Sequence, residues 1–161
     1  MSGSKDTHSH VLIARAGSVA CAISIEHVVE TMRPLPIEPI GHAPAGVRGL
    51  ALIRGEPTPV LDATELLGGE RSAATPSPRE GTRFVVVRAG ARRIALAFDA
   101  VLDVRWIPRA ELAALPPLVA AAGREIVAAI GRADAALLVV LEAARALDAA
   151  AWERLDAGAG G

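Results

Sequence analysis

The chain reads as mainly β, in the form of two small barrels packed on each other, and three observations predict this. About ten short apolar runs, several of them alternating, are separated by Gly- and Pro-bearing turns. Helical pattern is confined to connections and to the C-terminal end. The chain also echoes itself. Arg88-Ala89-Gly90 repeats Arg15-Ala16-Gly17, an offset of 73 (88 − 15). At that offset, without a gap, Ala95 falls on Ala22, Leu96 on Ile23, Phe98 on Ile25, Asp99 on Glu26, Val101 on Val28 and Asp103 on Glu30. Pro59-Val60-Leu61-Asp62 finds its echo in Val139-Val140-Leu141-Glu142, at an offset of 80 (139 − 59). Chance likeness between two amphipathic hairpins would match apolar positions. Here acidic and glycine positions agree as well, which favours two copies of one β unit.

Bulk properties exclude several functions. At 161 residues the chain is one domain, or two small subdomains closely packed, and is long enough to bury a core without disulfide or metal. Cys21 is the only cysteine, so neither an internal disulfide nor a cysteine metal cluster can form. A net charge of −1 with both signs scattered provides no basic stripe for phosphates, and 2% aromatics provide no stacking platform for bases, so nucleic acid is not the expected partner. No run of apolar residues is long enough to span a bilayer, and Met1–His10 lacks the apolar centre of a signal peptide. The expectation is a soluble, cytoplasmic protein without membrane insertion.

Taken in order, residues 1–10 are polar and form an expected disordered tail, in which His8 and His10 have no further ligands nearby to complete a metal site. Val11–Ala16 and Val19–Ile25 flank Ala16-Gly17-Ser18 as a hairpin. Glu26–Met32 is a helical turn or a turn passing into a third strand, and Pro34, Pro36 and Pro39 then keep the chain extended. Gly49–Asp62 is a second hairpin that turns at Gly55-Glu56-Pro57, with Arg54 at the end of its first strand. Glu65-Leu66-Leu67 before Gly68-Gly69 is a helical turn closed by glycine. Gly69–Thr82 is polar and proline-punctuated, a linker. Arg83–Arg88 and Ile94–Phe98 pair next, then Val101–Ile107 forms another strand. Pro108–Leu115, with proline at a favoured first position, reads as a short helix. Ile126–Ile130 and Leu137–Leu141 form the last hairpin. Glu142–Leu155 reads as a terminal helix, burying Leu147 and Trp152. Residues 11–147 thus form one domain of two barrels, and 148–161 the helix end and a tail.

No catalytic constellation emerges. None of His8, His10, His27 or His42 pairs with a nucleophile, and Cys21 lies in an apolar strand. Glycine pairs lack the following lysine and helix start of a phosphate loop. Glu30, Asp62, Asp99 and Asp103 read as solvated or ion-paired carboxylates and not as an acid/base pair. Phe84, Phe98, Trp106 and Trp152 are too few to line a ligand cavity, so no cofactor is expected. A binding module fits these observations better than an enzyme does.

In the hairpin, the series Gly49, four residues, Arg54-Gly55, three residues, Pro59, two apolar residues, Asp62 resembles the corresponding segment of the CheW family of bacterial chemotaxis coupling proteins. The likeness extends from about Val11 to Leu147. It implies two intertwined five-stranded SH3-like barrels with short connecting helices and a C-terminal helix. It also implies an adaptor bridging the helical hairpin at the cytoplasmic tip of chemoreceptors to the regulatory domain of a CheA-type histidine kinase. The receptor would lie in the groove between barrels, and kinase contacts would be barrel against barrel, with other CheW-like proteins completing rings at membrane-associated arrays. Carried over by position, Val28, Glu30, Arg48, Gly49, Arg54 and Gly55 become receptor-face residues, and Pro59 and Asp62 structural ones. Glu30 and Arg54 are expected to form an ion pair at the groove rim, while Gly49 and Gly55 serve close approach or the turn alone. The sequence departs from the family at Leu52, where asparagine is usual, and at Ala63, where leucine is common. These departures leave open a regulatory adaptor of a non-chemotaxis kinase governing pili, development or second-messenger output.

Overall fold

The computed structural model describes residues 7–69, 81–114, 126–133 and 136–159. Eleven strands are formed among them. β1 (His8–Ala16) and β2 (Val19–Ser24) make the first hairpin, and a 3-10 turn over Ile25–His27 leads into β3 (Val28–Met32). β4 (Val47–Ile53) and β5 (Glu56–Asp62) make the second, followed at once by the four-residue helix α1 (Ala63–Leu66). β6 (Arg83–Ala89), β7 (Arg92–Phe98) and β8 (Ala100–Pro108) follow. Beyond them are a 3-10 turn over Arg109–Glu111, β9 (Leu112–Ala114), β10 (Val127–Ala133), β11 (Ala136–Leu141), a 3-10 turn over Ala143–Arg145 and helix α2 (Ala149–Ala159).

The chain is mainly β, as expected, and its strands form two sheets of order β8-β1-β2-β11-β10-β9 and β3-β6-β7-β5-β4. The first has a sixth strand, the three-residue β9, beyond the expected five. Each sheet takes a hairpin from one half of the chain and its remaining strands, four in the first sheet and three in the second, from the other, so the halves exchange hairpins. The echo in sequence is an echo in register. Val140↔Ala22 and Leu141↔Ile23, a parallel pairing, recur as Val60↔Ala95 and Leu61↔Leu96. Ile13↔Asp103 and Ala14↔Val101, which bracket a bulge, recur as Val86↔Glu30 and Val87↔Val28 around another. Val47↔Leu61 and Gly49↔Val60 recur as Val127↔Leu141 and Ala129↔Val140, again across a bulge. Bulges bend a strand and raise its twist, so repeating them at matched places gives both sheets the same curvature.

Burial explains why strands such as Phe84-Val85-Val86-Val87 read as unbroken apolar runs. Val85 and Val87 face the core between the sheets, with Leu12, Cys21, Ile23, Leu96 and Phe98. Phe84 and Val86 face the interior of their own barrel, with Ile53, Val60 and Ala95. The other barrel holds Val11, Ile13, Ala22, Ile107 and Leu138. Leu147, Ala151 and Leu155 close one end of the inter-sheet core, and the guanidinium of Arg92 holds α2 down by reaching both Asp156 carboxylate oxygens and stacking 4.5 Å above Trp152.

Three expectations shift. β1 begins at His8, inside the expected tail, because His10 stacks on Trp106 of β8 at a centroid distance of 4.2 Å. The expected helix from Pro108 is instead a single 3-10 turn, and Leu112–Ala114 pairs with β10, which satisfies backbone that a short alanine-rich helix would have left to water. The terminal helix begins at Ala149 and not at Glu142, since Asp148 accepts the Ala151 amide in the manner of an N-cap. The linker over 70–80 and the first six residues lie outside the described residues.

Candidate functional site

The residues singled out in sequence separate into a rim and a buried brace. At the rim, Ile53↔Glu56 closes a two-residue turn in which Arg54 has φ 52° and Gly55 φ 81°. Both central residues are left-handed, as in the turn whose twist matches the strands it joins. Arg54 is therefore part of the reversal itself, not the last residue of the strand, and its side chain projects back across the barrel mouth. There it meets Glu30: Nη2 donates to Oε1 at 3.0 Å and Nε to Oε2 at 3.2 Å. β3 and β4 are the two edges of their sheet, so this contact between one edge and the hairpin at the other shows the sheet curled on itself. The two-pronged hydrogen bond from Arg54 holds the Glu30 carboxyl below the ordinary carboxylate range and raises Arg54 in turn. Val28 lies half-buried two residues away, on the strand edge against the inter-sheet core.

The brace is Arg48 with Asp62. Asp62 is buried and does two things at once: one oxygen accepts the Glu65 amide at 3.1 Å as the N-cap of α1, and the other pairs with Arg48 Nη2. At the far end of α1, Gly68 at φ 93° donates to Glu65 O at 3.0 Å and Gly69 to Thr64 O at 2.9 Å, the paired bonds of a glycine C-cap. Arg48 thus points at Asp62 and away from the Glu30–Arg54 rim.

Gly49 is buried at φ 149°, and a Cβ there would stand 2.2 Å from the carbonyl oxygen of Glu38. Its neighbour Leu50 exchanges both backbone bonds with Glu38, at 2.7 and 2.9 Å. The close approach at the Gly49 Cβ position is made by the chain's own Ile37-Glu38 segment. Because Leu50 turns its polar groups towards Glu38, Pro59 opposite it sits in a pair that needs no N–H, and the parallel pairing of β5 with β7 starts only at Val60. Gly55 meets nothing within 4 Å where a Cβ would go, and is needed for its φ alone.

Sequence reasoning missed two apolar surfaces. Leu50 and Leu52 line a shallow cleft with Leu35 and Ile37, and Leu52 is 66% exposed. On β8, Leu102, Val104 and Trp106 are all exposed. Alternation of large apolar residues on an edge strand was the available signal in both places. Among the described residues, no three His, Cys, Asp or Glu side chains converge as metal ligands. Cys21 is buried, and that burial pushes its thiol up to about 12. No described helix is long and apolar enough to cross a membrane.

Two barrels sharing a core, with an ion-paired rim and exposed apolar strands, define a class of domain that presents surfaces to other macromolecules. A family model described as the CheW-like domain matches residues 10–151, and the chain belongs to that family. It is 32% identical over 111 residues to protein FrzA of Myxococcus xanthus, and 29% identical over 106 residues to chemotaxis protein CheW of Rhizobium meliloti. These matches cover 69% and 66% of this chain, and 66% of the length of each relative. In structure it resembles the scaffolding protein TtCheW of Thermoanaerobacter tengcongensis, with a TM-score of 0.74 over 84% of this chain and 89% of that one, at 19% identity.

Proposed function

We propose that this protein is a non-enzymatic coupling adaptor that joins the cytoplasmic helical hairpin of a chemoreceptor to the regulatory domain of a CheA-type histidine kinase, acting in the cytoplasm at receptor arrays. The observation that carries the receptor side is the Glu30–Arg54 fork beside half-buried Val28. A helix laid along the groove between barrels buries apolar side chains against Val28, while the fork keeps the rim rigid and leaves Arg54, 73% exposed, able to meet receptor carboxylates. Arg48, Gly49 and Gly55 act indirectly, by holding β4 and its turn in place. Kinase contact, and contact with other CheW-like proteins, is barrel against barrel.

Co-sedimentation of this protein with receptor cytoplasmic fragments and the CheA-type kinase of the same genome tests the reading. Ternary assembly that raises autophosphorylation, and that Arg54→Ala and Glu30→Arg both weaken, is the expected result. Binding unchanged by Glu30→Arg would remove the rim from the receptor face. One observation favours a second reading. Leu52 presents an exposed apolar side chain where the family usually has a polar one. That difference suits a kinase pathway other than chemotaxis, and binding to neither chemotaxis partner would select it.

A further inference from the structure

Strand β8 is the outermost strand of its sheet, paired with β1 on one side and with no described strand on the other. Edge strands with exposed apolar residues are templates for pairing. Here Leu102, Val104 and Trp106 are 50%, 46% and 55% exposed. The amide of Val104 donates to its neighbour Asp103 at 2.8 Å, not to β1, so it faces the free edge. The Asp103 carboxylate also accepts from Arg105 Nε at 3.0 Å. Both charged side chains are well exposed, at 53% and 41%.

The order Leu102-Asp103-Val104-Arg105-Trp106 is complementary to itself when read in reverse. We propose that β8 is a self-association edge, pairing antiparallel with β8 of a second copy about a two-fold axis through Val104. In that register Val104 meets Val104 of the other copy, Asp103 faces Arg105 twice, and each Trp106 lies over the bulge at Leu102 of the other copy. The occupant is a second copy because charge complementarity selects it: an isologous contact repeats each favourable pair, and no other register about a residue of β8 sets both acids against both bases. On pairing, the Val104 amide leaves its own Asp103 for the Val104 carbonyl of the other copy, and Asp103 exchanges its own Arg105 for that of the other copy. The pairing is independent of the receptor rim, which lies on the other sheet. It yields a two-fold pair, where head-to-tail barrel contacts yield rings.

Sedimentation of the full-length protein over micromolar to millimolar concentration tests this. The wild type should move from the monomer mass towards twice that value. Asp103→Arg or Arg105→Asp places like charges opposite each other at both positions, and each should weaken self-association by roughly tenfold or more. The double reversal D103R/R105D restores both pairs and should regain the wild-type behaviour. An equimolar mixture of the two single variants should form a heterodimer that neither forms with itself. Should either reversal disturb the fold by near-ultraviolet dichroism, Val104→Lys makes the same test at the axis and should leave a monomer. A wild type that stays monomeric throughout, a dimer indifferent to the single reversals, or a double reversal that fails to recover would each overturn the proposal.

Discussion

At Gly49 two constraints act on one residue: a backbone angle that side chains disfavour and a carbonyl where a Cβ would be. Gly49→Ala must move the Ile37-Glu38 segment, and it should lower unfolding stability by more than the roughly 1–3 kcal/mol that a strained φ costs by itself. Gly55→Ala meets open space and should stay inside that roughly 1–3 kcal/mol range. Denaturant melts of the two variants make the comparison, and equal losses would mean that the Glu38 contact carries no weight. Glu30 makes a second prediction at this scale. Its folded-state pKa is depressed by the Arg54 hydrogen bonds, so the pair's contribution is present above the unfolded carboxylate pKa and is lost as pH falls through the lower folded value. The Glu30 side-chain carbon, followed by NMR, should titrate below the ordinary glutamate range, and should return towards it in Arg54→Ala. The repeat mate of Glu30, Asp103, is likewise held low by an arginine, Arg105, although that arginine comes from its own strand. Both halves carry an acid at this bulge, and the arginine that pairs with it comes from a different element in each.

The short helix α1 shows how one element can hinge on one side chain. Four residues form less than two turns and are not stable alone in water. Asp62 supplies the N-cap, Gly68 and Gly69 the C-cap, and Arg48 ties the cap to β4. Asp62→Ala removes the cap and leaves Arg48 facing a partly buried void, with its Nε already lacking a partner. The expected loss is roughly 2–3 kcal/mol, above a lone N-cap at about 1 and below a fully buried ion pair, because Arg48 keeps some access to water. Asp62→Asn retains the cap and should lose less. Thermal melts of the pair check this, and an Asn variant as damaged as the Ala one would place the whole effect in the charge.

Across the molecule, the exchange of hairpins decides how the chain folds. β1 and β2 have their sheet partners, β8 and β11, in the other half, and β6 and β7 have β3 and β5 in the first. Neither half can assemble a barrel of its own. Separately expressed halves, divided within 70–80, should each lack cooperative melting by far-ultraviolet dichroism, and on mixing should recover it together with the near-ultraviolet signal of Trp106 and Trp152, which both lie in the second half. A half that melts cooperatively alone would show that each repeat closes on itself. The same exchange places the large shared core between sheets, so a lesion in Leu96 or Ile23 should loosen both barrels together.

How much of this was legible depended on the range of the interaction. Alternation, turn residues and the repeat at 73 and 80 determined the β class and the hairpins, because these rest on neighbours a few residues apart and on a copied pattern. The Glu30–Arg54 pair was legible through likeness to a known family, since nothing in the spacing of two residues 24 apart specifies a contact. The short helix expected at Pro108 failed because a local propensity met a free strand edge, and the edge of β10 took the segment as β9. Only the tertiary structure decided which hairpin entered which sheet, that Arg48 belongs to Asp62, and that Gly49 lies beneath Glu38. Each of these depends on surfaces brought together from distant parts of the chain, and a pattern read along one strand carries no information about what lies across from it.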